Sequence, residues 1–333
     1  MTRAEIAANL GLNHRPKIEL HLHLEGCLTP SDARYLSRKH DLAWDDDRLL
    51  SLYHHENFGE FLVHFGALLN FVKAPEDLCW LLDRTLTRLR RQGVIYAEIR
   101  VSPSVWERHG LPAEISLRTL LNHATRVSPP VGFIVDAVRQ WAPALLLRDL
   151  DLACRFRNRG VVALGIGGDE AAAPAGSLRA FADECRARKM PVIPHSGEMM
   201  AADELVSALD VFQPGRIGHG ISAAGSCEVM DTLARRGVHL EVCPTSNRRT
   251  GAVAHAKRHP LRKLWRAGVN LSLSTDDPAL FGATLCQELR WAQRSAGWTE
   301  SDMARSQLMA AHASLLPRSA RQDLARRIQA GWG

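Results

Sequence analysis

Apolar, β-branched runs recur along the chain and alternate with stretches of helical period. The runs are Ile18–Leu24, Val94–Val101, Val131–Val138, Val161–Ile166, Val192–His195, Arg216–His219, Val238–Cys243 and Val269–Thr275. Short, nearly continuous apolar runs mark strands buried on both faces. Between them lie segments long enough for crossover helices: Leu117–Val127, Leu145–Arg159, Ser177–Lys189, Asp203–Phe212, Cys227–Arg236 and His259–Ala267. Eight such strands predict an α/β fold, a (β/α)8 TIM barrel. Additional helices are expected after the first strand. Phe58, Phe61, Leu62, Phe65, Leu68 and Leu69 recur at three- and four-residue spacing. A break at Ala74-Pro75-Glu76-Asp77 starts a second helix, which Gly93 ends. Gln287–Gln329 reads as helix at the C-terminus, and Met1–Arg15 as a short helix or tail. No linker, repeat or low-complexity tract divides the chain, so residues 1–333 are expected to form one domain.

The reactive residue types collect at the C-terminal ends of these strands, where such barrels carry their active sites. His21 and His23 end the first strand and are two residues apart, so both imidazoles point to one face. Gly165–Glu170 follows the fourth strand, His195-Ser196-Gly197-Glu198 the fifth, and His219 ends the sixth. Cys243–Asn247 ends the seventh and Ser274–Pro278 the eighth. His21, His23, His195 and Asp276 make a chemically sensible zinc site, with three neutral nitrogens and one carboxylate. Such a site leaves the ion positive and lowers the pKa of water from about 15.7 to about 7. Glu198, three residues beyond a ligand, suits a proton shuttle. His219 suits orienting or deprotonating the water. Asp277 alternates in direction with Asp276 and suits a hydrogen bond to substrate. The Gly165–Gly168 run offers bare backbone N–H groups, but neither a P-loop nor a dinucleotide fingerprint. Cys243 reads as a packed thiol. His54, His55, His64, His255 and His312 match no ligand spacing.

Composition narrows the class. With 333 residues, 46% apolar, the chain can bury a full core. The net charge of +6 comes mostly from arginines interleaved with apolar positions, as in Arg84–Arg91 and Arg318–Arg327. That pattern is a solvated helix face, and no nucleic-acid partner is expected. No run of 18 apolar residues exists, so no membrane span is expected. Seven cysteines are scattered singly without a Cys-x-x-Cys pair, which fits free thiols in a reducing, cytoplasmic compartment.

Taken in order, six segments resemble the adenosine and AMP deaminase group of the metal-dependent hydrolases. They are Pro16–Gly26, Gly167–Glu170, His195–Glu198, Arg216–Gly220, Leu240–Asn247 and Ser274–Pro278. The resemblance implies one zinc ion held by His21, His23, His195 and Asp276. It implies Glu198 as proton donor to purine N1, and His219 and Asp276 as the groups that position and activate the water. Gly168 is implied as backbone donor to N3 and Asp277 as partner of N7. His23 and Glu25 would also face the substrate, and Phe58–Phe65 would gate the pocket. The implied reaction is hydrolytic loss of ammonia from C6 of a 6-aminopurine nucleoside. Adenosine is the first expectation; the alternatives are adenine and a modified adenosine such as aminodeoxyfutalosine. Three departures bear on the sugar side: Glu25 stands where adenosine deaminases commonly have Asp, Gly218 where adenine deaminases usually have Asp, and Cys27 where a smaller residue is usual. A phosphoesterase with two metals would expect a lysine at the end of the fourth strand, and none is present.

Overall fold

A computed structural model describes residues 11–254 and 259–333. Eight strands lie in chain order: β1 (Lys17–His23), β2 (Val94–Val101), β3 (Val131–Val138), β4 (Val161–Gly167), β5 (Val192–Ser196), β6 (Arg216–His219), β7 (His239–Val242) and β8 (Leu271–Leu273). Neighbours pair in parallel from β1 to β8. Just beyond β8 the ring closes on β1. The His23 N–H donates to the Asp276 carbonyl at 2.9 Å, and the Asp276 N–H donates to the His21 carbonyl at 2.9 Å. The architecture is the expected (β/α)8 barrel.

Strand alternation divides the residues of the wall. Leu22, Ile99, Val135 and Leu164 are fully buried in the main apolar cluster. Charged residues of β2, β3, β6 and β7, namely Glu98, Arg100, Asp136, Arg216 and Glu241, are buried as well. They survive burial because they pair. Arg100 reaches Asp136 at 2.9 Å and Glu241 at 3.2 Å. Arg216 binds Glu241 at 2.6 Å and also contacts Glu98. Removing one member of such a network leaves an uncompensated charge, at about 3–5 kcal/mol.

The helices after β1 form as their caps dictate. The Asn57 side chain accepts from the Glu60 N–H at 3.0 Å and starts helix Phe58–Leu68. Asp77 accepts from the N–H groups of Lys73 and Ala74, each at 2.9 Å, at the start of Pro75–Arg91. The C-terminal stretch is three helices, Leu285–Trp291, Glu300–Ala313 and Arg318–Trp332. Gly297, at φ +73°, and Pro317 stand at the interruptions. Pro103–Arg108, Pro244–Arg249 and Pro278–Phe281 are short helices that hydrophobic period did not foretell. Each opens on proline, whose missing N–H is harmless in a first turn. β8 is shorter than the run Val269–Thr275, and Thr275 lies beyond its end. The Thr275 N–H and hydroxyl donate to Glu19 at 3.3 and 3.2 Å. The expected segment Met1–Arg15 lies largely outside the described residues, as does His255. Among the described residues no helix is long and apolar enough to cross a membrane.

Candidate active site

Barrel closure sets the geometry of the site. The two hydrogen bonds that lock Asp276 to β1 place its carboxylate beside both histidines of the His-x-His strand. Asp276 Oδ1 is 3.2 Å from His21 Nε2 and 3.3 Å from His23 Nε2. From β5, His195 Nε2 reaches His23 Nε2 at 3.3 Å. One potential ligand atom from each of His21, His23, His195 and Asp276 lies within 4.8 Å of all the others. All four residues are buried.

The donor set fits a metal ion. Three imidazole nitrogens and one carboxylate oxygen suit zinc. His21 Nε2 is buried with no hydrogen-bond partner of good geometry. The outer ring nitrogens are committed elsewhere: His21 Nδ1 to Glu241 Oε2 at 2.8 Å and His195 Nδ1 to the Ile166 carbonyl at 3.0 Å. Each of these Nδ1 atoms therefore carries the proton, and each Nε2 presents a lone pair inward. Burial, with nearby Arg100 and the other imidazoles, pushes His195 well below the ordinary histidine range. Burial alone would raise Asp276, but the close approach of the His21 and His23 imidazoles holds it well below the usual carboxylate range. For His21, burial and Arg100 oppose the proton, yet contacts with Asp276 and Glu241 raise it overall. Carboxylates that hold a proton there also favour a cation.

The remaining strand ends surround this cluster. His219 follows at φ +63° on β6, with Nε2 3.3 Å from Glu198 Oε2 and 3.9 Å from Asp276 Oδ2. Burial lowers His219 to about 3. Glu198 Oε1 accepts from Thr250 at 3.1 Å and from Asn247 at 3.4 Å. Burial, then the Asp276 charge, pushes Glu198 well above the usual carboxylate range. Asp277 is raised in the same way, by burial first and then Asp276 and Glu25; its Oδ1 is buried and unpartnered. A Cβ on Gly26 would fall 1.9 Å from that oxygen, so only glycine leaves room there. The Ser246 hydroxyl donates to Asp276 Oδ2 at 2.6 Å.

A cavity of about 290 Å³ reaches this cluster. His23, Gly168, His195, Glu198, Asp276 and Asp277 line its deep part. Phe58, Phe61, Leu62 and Phe65 cover it, and the Phe65 ring stands edge-on to His23 at 6.0 Å between centroids. Toward solvent it continues past Gln140, Trp141 and Arg108, whose guanidinium lies 3.6 Å from the Trp141 ring centroid. A larger cavity, about 740 Å³, opens beside Val192, Arg216 and His239 at the opposite ends of the strands and contains none of the expected site residues.

Glu25 sits differently from the other candidates. It is buried, and its Oε1 accepts from the Ser102 N–H at 2.9 Å and from Trp106 Nε1 at 2.7 Å. It does not line the 290 Å³ cavity, although Oε2 has no partner. Several residues carry roles that sequence reasoning did not assign, Glu170 and Glu241 of the segments it singled out among them. Glu170 accepts from the N–H groups of Gly197, Glu198 and Met199 at 2.8, 2.9 and 3.1 Å, and so holds the loop that presents Glu198. Asp136 lies 3.7 Å from His23 Nδ1. Glu241 backs His21. For Glu241 and Asp136 a signal existed: a lone charge inside an apolar strand run must have a partner. Cys243 is a packed thiol, fully buried and raised well above its ordinary value by burial.

Comparison with known proteins identifies the family and supports the fold. The family model described as adenosine deaminase matches residues 16–331. An aminodeoxyfutalosine deaminase from Acidothermus cellulolyticus is 34% identical over 293 residues, covering 84% of this chain and 82% of the relative. An adenine deaminase from Sinorhizobium fredii is 30% identical over 317 residues, covering 93% and 97%. In structure, the adenine deaminase from Arthrobacter aurescens superposes with a TM-score of 0.89 at 24% identity, over 95% of this chain and 98% of that one. An amidohydrolase from Burkholderia ambifaria with bound zinc gives 0.88 at 22% identity, over 99% and 94%. At these identities the two structures speak for the fold alone. With its family model matched across nearly the whole chain, this protein belongs to the adenosine deaminase family.

Proposed function

We propose that the protein is a zinc-dependent hydrolase that removes the 6-amino group of a substituted purine and releases ammonia. The observation that carries this reading is the convergence of His21, His23, His195 and Asp276 with Glu198 and Asp277 on one cavity. His21, His23, His195 and Asp276 would hold the ion. When bound, zinc supplies Lewis acidity that makes hydroxide accessible near neutral pH.

The chain's own residues supply the rest. Burial beside Asp276 pushes the Glu198 carboxyl well above the usual range, which favours its protonated form, and it hands a proton to ring N1. Protonation there makes C6 electrophilic. Water adds its oxygen at C6 as one of its protons passes to the Glu198 carboxylate left by the transfer to N1; Glu198 hands that proton to the amine, which leaves as ammonia, and the proton of the new C6 hydroxyl restores Glu198. Asp277, also raised, donates to N7. The Gly168 N–H meets N3, and Glu25, held by Ser102 and Trp106, braces the cavity wall at Ser102. The Phe58–Phe65 face excludes water from the developing charge.

The relatives move the substrate away from adenosine, the first expectation. By name they act on aminodeoxyfutalosine and on adenine. The cavity supports a modified adenosine of the aminodeoxyfutalosine type, because it runs past the base site to Gln140, Trp141 and Arg108. Adenine is the second reading, favoured by relatives of that name covering 93–95% of the chain. The test is absorbance of zinc-loaded protein with adenine, adenosine and a 5′-modified adenosine in parallel. Fastest turnover of the modified nucleoside supports the first reading, and turnover of adenine alone supports the second.

A further inference from the structure

Next to the proposed catalytic groups lies a chain of hydrogen bonds whose direction is fixed at one end by the backbone. It begins in the sequence His259-Pro260-Leu261. Leu261 opens the helix Leu261–Arg266, and its N–H has no acceptor within that helix. It donates instead to His259 Nδ1 at 3.1 Å. An amide N–H can only donate, so His259 Nδ1 is an acceptor and the ring's single proton sits on Nε2. His259 Nε2 lies 3.3 Å from Asn247 Oδ1, which accepts that proton.

The orientation of Asn247 follows. With Oδ1 committed to His259, its NH2 group faces the site. One N–H is directed at Glu198 Oε1, 3.4 Å away, and the other at His219 Nδ1, 3.1 Å away. An NH2 group has only protons to offer, so His219 Nδ1 must accept. His219 therefore carries its proton on Nε2, the nitrogen that faces Glu198 Oε2 and Asp276 Oδ2. Reversing the Asn247 amide would put its NH2 against the Nε2–H of His259 and is excluded by the Leu261 contact. All three side chains are buried, so no bulk water substitutes for a link.

We propose that His259 and Asn247 are positioning residues that lock His219 as an Nε2–H donor. This inference rests on the deaminase reading for its catalytic meaning. His219 then holds the attacking oxygen by hydrogen-bond donation and does not act as its base. Deprotonation falls to a neighbouring carboxylate, Asp276, or Glu198 once its own proton is on N1. The arrangement resembles the way a buried carboxylate sets a histidine tautomer in acyl-transfer triads, with an amide in its place and the opposite nitrogen protonated.

The test combines a tautomer measurement with kinetics on the zinc-loaded full-length protein. Long-range proton–nitrogen NMR on histidine-labelled protein reads the His219 tautomer directly. The wild type is expected to show protonation at Nε2. His259→Leu removes the anchor and should mix the two tautomers. It should lower kcat about tenfold or more while KM stays within about twofold and zinc content is unchanged. His259→Gln, which keeps a donor for Asn247 Oδ1, should recover most of the loss. Asn247→Asp presents an acceptor to Nδ1 and should drive His219 to the Nδ1–H form. A wild-type His219 protonated at Nδ1, or a His259→Leu variant with unchanged tautomer and kcat, overturns the proposal. If no purine is deaminated but the tautomer is Nε2–H and shifts in the variants, the relay stands and the deaminase reading falls.

Discussion

His21 Nδ1 lies 2.8 Å from Glu241 Oε2, with both side chains fully buried. Glu241 is in turn held by Arg216 and Arg100, and these pairs keep it well below the usual carboxylate range although burial alone would raise it. The pairing orients the imidazole for a ligand role through Nε2. Glu241→Gln keeps the shape but removes the charge that fixes the tautomer. Zinc affinity is expected to fall about 10- to 100-fold, read by competition with a chromogenic chelator. An unchanged affinity would show that Glu241 does not tune the ligand.

The packing of the ligands predicts a second result. A Cβ on Gly218 would stand 2.7 Å from His21 Cε1 and 3.4 Å from His195 Cδ2. The His21 ring cannot yield freely, because Glu241 pins its far side. Gly218→Ala should therefore lower zinc occupancy and destabilise the protein by about 1–3 kcal/mol. Elemental analysis and chemical denaturation check this, and full occupancy with parental stability would contradict it.

The barrel and the metal ligands were legible because both follow period. Eight apolar runs mark the strands, and His21 and His23 share a face by alternation. His195 and Asp276 sit at strand ends, where chemistry collects in this architecture. What stayed hidden depends on contacts across the barrel. Glu170 holds the Glu198 loop from another strand end, and nothing in its local sequence announces that. His259 reads as the first residue of the helical segment His259–Ala267; in the structure the helix starts at Leu261, and Leu261 and Asn247 are brought to the two ring nitrogens of His259. The anchoring of Glu25 by Ser102 and Trp106 likewise required the Pro103–Arg108 turn, which has no hydrophobic period to reveal it.

Stability should depend on pH through Glu19. Burial pushes its carboxyl up from 4.5 to about 8, against hydrogen bonds from Ser274 and Thr275. Between those values the folded protein holds a proton that the unfolded chain has released. The stabilisation is thus complete below pH 4.5 and is lost as pH rises through about 8. Lys17, lowered by burial from 10.5 to about 8, acts in the opposite sense but only above that pH. Glu19→Gln should flatten the fall in Tm between pH 6 and 8 relative to the parent. Parallel profiles for the two proteins would remove Glu19 as the source.

In the proposed reaction Glu198 transfers protons in a hydrolytic deamination at the His21, His23, His195 and Asp276 site. The most direct measurement is ammonia release by the zinc-loaded parent and by Glu198→Gln, with the 6-aminopurine that the parent turns over fastest and zinc content measured on both. Ammonia should appear in step with substrate loss for the parent, and the variant's rate should be about 10²- to 10⁴-fold lower at equal zinc content. A variant as fast as the parent, or a zinc-loaded parent that releases no ammonia from any 6-aminopurine, would contradict the proposed reaction.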